Sequence, residues 1–411
     1  MRIVIRNGNV ATLQGPAGAR QAAAMANVPV VPLTIVVADG VIEWIGPDTE
    51  FFGKADEVVD ATGCLVTPGY VDAHTHLVYA GNRAFELDAK LHGVPYLEIL
   101  ASGGGITHTV ERTKAATSSQ LENEASARAQ RMLQNGTTTL EAKSGYGLDA
   151  ETELRMLAIH PGIEKITGQR IISTFCGAHA VPSGSTAETY TAEVLAMIPA
   201  VAEQGIAKFC DVFVEKGVFT VDQGEAILAA AAKLGMPGRL HADEIVWTGG
   251  AQLAARMKAA TADHLLMADD AGIHAMQAAG TMAVLMPTVP ITLMRPTWAR
   301  GKKFLDAGVA CCLATDHNPN NPVTDMGLVL QLGSFLLGLT PAQALTAVTW
   351  NGACALGMED EVGSIAVGKR ADILVHDVPD VDHLVYGLGR RTVRVVVSGG
   401  RVVRNGDGPR A

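Results

Sequence analysis

His74 and His76 stand one residue apart at the end of the apolar run GYVDAHTH, and Arg83 follows seven residues later in 67-TPGYVDAHTHLVYAGNRA-84. In an extended chain residues i and i+2 project to the same side, so the two imidazoles can reach one point. Imidazole suits zinc, iron and similar divalent ions, and a catalytic site supplies three or four protein ligands while leaving a place for water. An H-x-H pair alone is weak evidence, because short motifs have many chance matches and two histidines near a turn can be satisfied by their surroundings. It gains weight because other apolar runs also finish on reactive groups: Lys143, His179, Glu215, His241 with Glu244, His264 and Asp316. His241 and Asp316 are the natural completing ligands, with His264 as the remaining nearby candidate.

Lys143 has two readings. It can be carboxylated to bridge two metals, or its ammonium can pair with an acid such as Glu141 or orient the loop SGYG. A single-metal site has its ligands without it, so a structural role is expected. Glu244, three residues after His241, belongs to the same strand end; the competing reading is a carboxylate at a helix start. His92, His108, His160, His274, His317, His376 and His383 are expected in solvent or core roles, and bordering the pocket is the lesser reading for His108 and His317.

Strands and helices must bring these groups together. From about 67 to 358 the pattern is apolar strand, loop and amphipathic helix, repeated. Eight strand candidates are legible: GYVDAHTH, TTTLEAKS, RIISTFCGAH, AKFCDVFVE, PGRLHADE, ATADHL, TMAVLMP and VACCLATD. Strands buried on both faces read as nearly continuous apolar runs, as these do. Eight strand–helix units predict a (β/α)8 TIM barrel, in which the strand ends converge on one mouth. Residues 2–13, 33–46 and 57–66 alternate like half-buried strands between NG, DG and TG turns, which predicts an antiparallel sheet. GSIAVGKRADILVHD and TVRVVVSGGRVVRNG look alike near the other end, so 1–66 and 359–411 are expected to form one composite β-sandwich domain beside the 67–358 barrel. Residues 14–32, rich in Ala, Gly and Pro, read as an irregular insertion of no evident function.

The chain has 411 residues, 48% hydrophobic and 18% charged, enough apolar material for a large core. A net charge of -10 without a Lys/Arg cluster argues against nucleic acid and leaves a small molecule as the expected partner. The six cysteines lack paired spacing and read as free thiols. MRIVIRNGNVATL alternates like a strand rather than a signal peptide, and no apolar run approaches the roughly 20 residues of a membrane helix. A cytoplasmic protein without a membrane partner is expected.

PGYVDAHTHLVYAGNRAFE, SGGGITHTVERT, TTTLEAKSGYGLDAETELRML, GAHAVP, CDVFVEKGVF, HADE, ADHL and ATDHNP together resemble the amidohydrolase superfamily. Its metal ligands come from HxH on the first barrel strand, His on the fifth and sixth, and Asp on the eighth. Within it the chain resembles the imidazolonepropionase family, ring-opening hydrolases of histidine degradation; SGGGI and KSGYGL are far more specific to that family than HxH. The resemblance implies a barrel with a composite β-sandwich, a homodimer, and one divalent metal ion, zinc or iron, held by His74, His76, His241 and Asp316. It implies substrate-binding roles for Arg83, Tyr146 and His179, a place beside the reacting ring for Glu244, and contact with the product's formimino end for Asn318. Arg83's planar fork also suits a propionate carboxylate on its own chemistry.

The implied reaction is hydrolysis of the cyclic amide of 4-imidazolone-5-propanoate to N-formimidoyl-L-glutamate. In it the metal activates water, Asp316 accepts its proton, His264 hydrogen-bonds the water or the oxyanion, and Glu244 steers the ring nitrogen. One departure stands out. The family continues DxNPG with Ser or Thr, whereas this chain has 316-DHNPNNP-322. Asn320 and Asn321 thus replace a glycine and a hydroxyl residue that border the substrate; asparagine tolerates a left-handed backbone, so the loop is expected to keep its path. Two alternatives share the fold. One is a cyclic amidohydrolase or deaminase acting on another carboxylate-bearing heterocycle, such as a hydantoin- or thiohydantoin-like ring. The other is a non-catalytic binding protein, which the retained ligands disfavour.

Overall fold

The computed structural model describes residues 1–94, 98 and 103–406; Ser102 of the SGGGI motif and the last five residues of the expected terminal domain lie outside the described residues. Alternation at the N-terminus builds β1 (Arg2–Ala11), β2 (Val30–Ala38) and β3 (Val41–Gly46), an antiparallel set that buries Ile3, Ile5, Val10, Ile35, Val37 and Ile42. β4 (Glu57–Asp60) and β5 (Leu65–Pro68) then pair with β1 in parallel, not antiparallel as expected. Residues 47–56 carry the chain back before it re-pairs, so β4 enters in β1's own direction instead of as a hairpin.

The barrel follows. β6 (Tyr70–Asp72), β7 (Thr137–Lys143), β8 (Arg170–Ala178), β9 (Phe209–Val214), β10 (Gly238–Ala242), β11 (Thr261–His264), β12 (Met282–Leu285) and β13 (Cys311–Leu313) pair in parallel in sequence order. Just beyond the last strand residues, a parallel bridge between Thr75 and His317 joins the first strand to the last. The helices between strands begin where the sequence signals them. Thr117, Asp149, Thr186 and Thr220 each accept a hydrogen bond from the N–H three residues on, satisfying a donor the helix cannot pair itself. β14 (Ile373–His376), β15 (Val393–Ser398) and β16 (Arg401–Asn405) complete the terminal sheet, whose order is β16-β15-β14-β5-β1-β2-β3 with β4 on β1. The architecture is an α/β (β/α)8 barrel beside a mixed sheet drawn from both termini.

Residues 14–32 are more ordered than their composition suggests. They contain a short helix, Ala22–Ala26, and the start of β2. Trp350 Nε1 donates to Gly18 O (2.8 Å), Asn351 Nδ2 to Arg20 O (2.9 Å) and Thr346 Oγ1 to Met25 O (2.8 Å). The segment is therefore a strap over the helices Pro341–Ala347 and Trp350–Ala355. Its partners lie over 300 residues away, so no local periodicity announces it. All six cysteines are free, five of them buried. Among the described residues no helix is long and apolar enough to cross a membrane.

Candidate active site

β6 ends at Asp72, yet the backbone stays paired through His76. Lys143 N donates to Thr75 O (2.9 Å) and His76 N to His317 O (2.8 Å), so the alternation that aims His74 and His76 into the barrel persists beyond the strand. Both rings are buried. His74 Nδ1 hydrogen-bonds Asp263 Oδ2 (2.6 Å), and His241 Nδ1, on β10, hydrogen-bonds Asp211 Oδ1 (3.0 Å). An ionised carboxylate only accepts, which places the ring proton on Nδ1 and turns each Nε2 lone pair inward. There His241 Nε2 lies 3.3 Å from His76 Nε2, while Asp316 Oδ1 lies 3.6 Å from His74 Nε2 and 3.7 Å from His76 Nε2. His74 Nε2 and Asp316 Oδ1 are buried without a hydrogen-bond partner among the described residues. Two imidazole lone pairs facing each other repel unless they share a cation or a proton, so this donor set fits a divalent ion.

Burial drives His74 and His76 well below the usual imidazole range, His241 to about 3 and His179 to about 4. All four are neutral at pH 7, the form that can ligate. The cluster extends further: His264 groups with His74 and His241, and His179 with His76 and His241, each set with ligand atoms within 4.8 Å of one another. Both nitrogens of His264 are buried without a partner among the described residues, and its Nε2 lies 3.8 Å from Glu244 Oε2. Burial first, then the charge of Glu244, pushes the Asp316 carboxyl well above the ordinary carboxylate range.

Two of these residues occupy the left-handed region, His264 at φ +73° and Asp316 at φ +50°. Such a backbone costs of order 1–3 kcal/mol for a non-glycine residue. At His264 the turn breaks strand alternation, which lets the adjacent Asp263 and His264 both reach the barrel interior. In the 316–322 loop the left-handed residue is Asp316 itself; neither Asn320 nor Asn321 is left-handed, so the tolerance invoked for them is not what holds the loop. Asn321 is buried and donates through Nδ2 to Thr315 O (2.8 Å) and Asp316 O (3.1 Å). Asn318 Oδ1 accepts from the N–H groups of Asn320 (2.8 Å) and Asn321 (2.9 Å), and its Nδ2 donates to Asp316 O (2.9 Å). The amides expected to face the substrate are thus engaged in the loop that carries Asp316. Asn320 Oδ1 reaches outward and accepts from Lys90 Nζ.

His179 stacks on His76, with ring centroids 4.4 Å apart and 10° between planes, and its Nδ1 donates to Gly145 O (2.9 Å). Gly145 has φ +107°, and a Cβ there would sit 2.9 Å from Cys176 O and 3.0 Å from His179 Nδ1, so the KSGYGL loop requires glycine at this point. Tyr146 packs against His76 and His179; burial, then Asp316, raises its pKa well above the ordinary value, so it keeps its proton as a donor. Arg83 is buried and grips Glu86 in bidentate fashion, Nε to Oε1 (2.7 Å) and Nη2 to Oε2 (2.8 Å). That edge of the fork is occupied by a protein carboxylate.

Glu215 does not join the cluster. It accepts from Ile245 N (2.8 Å) and Lys216 N (2.7 Å) and so braces the loop after β10. Nor does Glu244 start a helix, since the next one begins at Gly250. Lys143 is fully buried and donates to Glu141 Oε1 (2.7 Å) and Asp211 Oδ2 (2.5 Å). Burial alone would lower its pKa; Asp211 and Glu141 outweigh that and raise it. His108 touches Phe85, and His317 bonds Val323 O and Tyr79 OH. Sequence reasoning overlooked Asp211, Asp263, Arg239 and Glu86. A signal existed for each: a charge inside an apolar barrel strand, Arg239 two residues before His241, and the Arg-x-x-Glu spacing of Arg83 and Glu86.

The fold, with a buried His/Asp cluster that could hold a metal ion, is the arrangement of a barrel hydrolase, and the comparisons with known proteins show the family. Residues 65–403 match the model of the Amidohydrolase family. The imidazolonepropionase of Streptococcus pyogenes serotype M6 is 42% identical over 375 residues, 90% of this chain and 89% of that protein. The imidazolonepropionase of Geobacillus sp. WCH70 is 43% identical over 380 residues, with the same coverage of both chains. In fold, the chain is similar to a zinc-bound adenosine deaminase from Xanthomonas campestris, with TM-score 0.74, 21% identity, and 98% of this chain and 93% of that one covered. The chain belongs to the amidohydrolase family and, within it, to the imidazolonepropionase family. It is a hydrolase.

Proposed function

We propose that the protein opens the cyclic amide of 4-imidazolone-5-propanoate to give N-formimidoyl-L-glutamate. The observation that carries this reading is the convergence of His74, His76 and His241 Nε2 with Asp316 Oδ1, beside Tyr146 and His179, which pack on His76. His74, His76, His241 and Asp316 would hold one zinc or iron ion, with His264 next to it. Such an ion, when bound, lowers the pKa of water toward about 7 and polarises a carbonyl.

Asp316, its backbone braced by Asn318 and Asn321, accepts the proton of the attacking water. His264 donates toward the oxygen that becomes negative as the ring carbonyl is attacked. The proton Asp316 took from the water passes to the ring nitrogen, which Glu244, 3.8 Å from His264 Nε2, steers, as that nitrogen's bond to the carbonyl carbon breaks. The added water thus ends as a carboxylate oxygen and an N–H. Arg83 takes the propionate, and Tyr146 and His179 hold the ring. The same reading keeps a homodimer, carried over from the resemblance, and the cytoplasmic location expected from the sequence.

The test is direct. Purified protein loaded with zinc or iron should remove imidazolonepropionate absorbance, and a chelator should stop it. One rival, raised by the Asn320–Asn321 departure in the sequence, is a different carboxylate-bearing ring. Turnover of a hydantoin-like compound with no loss of imidazolonepropionate absorbance would select it. Failure to bind metal at all would select a non-catalytic role.

A further inference from the structure

Glu86 lies in the turn Ala84–Glu86, fully buried, and collects partners from three directions. Arg83 grips both its oxygens, as above. Gly105 N, at the start of the helix Gly105–Ala115, donates to Oε1 (2.8 Å), and Lys90 Nζ lies 3.3 Å from Oε2. Lys90 in turn donates to Asn320 Oδ1, in the loop that carries Asp316. One carboxylate therefore joins the loop after the first barrel strand, the glycine-rich loop and, through Lys90, the loop after the eighth.

We propose that Glu86 is the positioning residue for the carboxylate end of the substrate, holding the Arg83 guanidinium at a fixed angle and distance from the Asp316 loop. This rests on the reading that Arg83 receives the substrate carboxylate. An arginine side chain has four rotatable bonds, and a free one must be ordered when the ligand arrives. Gripping it through both Nε and Nη2 orders it beforehand, so ligand binding bears less entropy loss. Although burial opposes it, Arg83 holds the Glu86 carboxyl below its ordinary value, so the grip persists across the neutral range. Glu86 itself is enclosed by these partners, and its effect on the ligand passes through Arg83. Asn320 extends the device in a way a glycine could not, because glycine has no side chain to receive Lys90.

Calorimetry on the full-length, metal-loaded protein separates this role from a general structural one. The probes are imidazole-4-propanoate and 4-ethylimidazole, which share a ring and differ in the carboxylate. Glu86→Gln should weaken imidazole-4-propanoate about tenfold while moving 4-ethylimidazole little, and should raise KM for 4-imidazolone-5-propanoate far more than it lowers kcat. Lys90→Met, on the more exposed side of the cluster, should shift the same ratio about threefold and serves if Glu86→Gln does not fold. Equal weakening of both probes, or an unchanged ratio in a folded variant with full metal content, would overturn the proposal. If wild-type protein leaves imidazolonepropanoate intact while the probe ratio still depends on Glu86, the reaction assignment fails and the positioning role stands.

Discussion

Replacing Asp263 by Asn probes whether the His74 orientation is tuned for a metal. Asp263 Oδ2 lies 2.6 Å from His74 Nδ1, 3.3 Å from Arg239 Nη2 and 3.8 Å from Lys143 Nζ, with all four side chains essentially excluded from solvent. Asparagine keeps the size and an acceptor oxygen, so the hydrogen bond to Nδ1 survives and only the charge that makes the imidazole a stronger donor is lost. Loss of a partner behind a ligating histidine weakens metal binding by roughly 10–100-fold. With the hydrogen bond retained, Asp263→Asn should fall near tenfold, about 1.4 kcal/mol, whereas Asp263→Ala, which removes both, should approach a hundredfold. Folding should survive the Asn change, since Lys143 keeps Glu141 and Asp211 and Arg239 keeps Glu141 at 3.4 Å. Competition against a chelator of known affinity, with metal content checked by elemental analysis, measures the effect. If both variants fold and hold metal as tightly as wild type, His74 is not a ligand oriented by Asp263, and the site geometry must be assigned differently.

Arg83→Ala should lower kcat/KM on the carboxylate-bearing substrate by about 10–100-fold with metal content unchanged, the range for losing a charged hydrogen bond; unchanged kinetics would exclude the carboxylate clamp. Lys143→Met leaves Glu141 and Asp211 buried without their ammonium, and should destabilise the protein by about 3–5 kcal/mol in a denaturant titration. His160 and His376 are each driven by burial from 6.5 to about 3. Their folded pKa lies below the unfolded one, so their contribution is present above pH 6.5 and is lost as pH falls, because only the unfolded chain takes up the proton. Between pH 7 and pH 5 each should remove about 2 kcal/mol of stability, and His376→Asn should flatten that slope by one histidine's share.

Much of the barrel was legible because its strands are buried on both faces and its helices on one, which makes the strands continuous apolar runs and the helices amphipathic. The segments that carry the His/Asp cluster showed for the same reason: a histidine or aspartate closing an apolar run conflicts with burial unless it has a partner. The terminal sheet was legible as strands but not as a pairing, since β4 and β5 alternate identically whether they run parallel or antiparallel to β1. The strap at 14–32 escaped notice because Trp350, Asn351 and Thr346 supply its hydrogen bonds from the far end of the chain.

At the site the division is the same. Residue type and spacing determined that His74, His76, His241 and Asp316 are available as donors, because imidazole and carboxylate chemistry belongs to each residue wherever it sits. Tertiary structure decided which nitrogen of His74 and of His241 faces inward. That choice lies with Asp263 and Asp211, contributed by other strands, and a tautomer is set by the partner across space. It also gave Glu86 one edge of the Arg83 fork and turned Asn318 and Asn321 back onto the Asp316 loop, since a side chain's role depends on which polar groups the fold brings within about 3 Å of it.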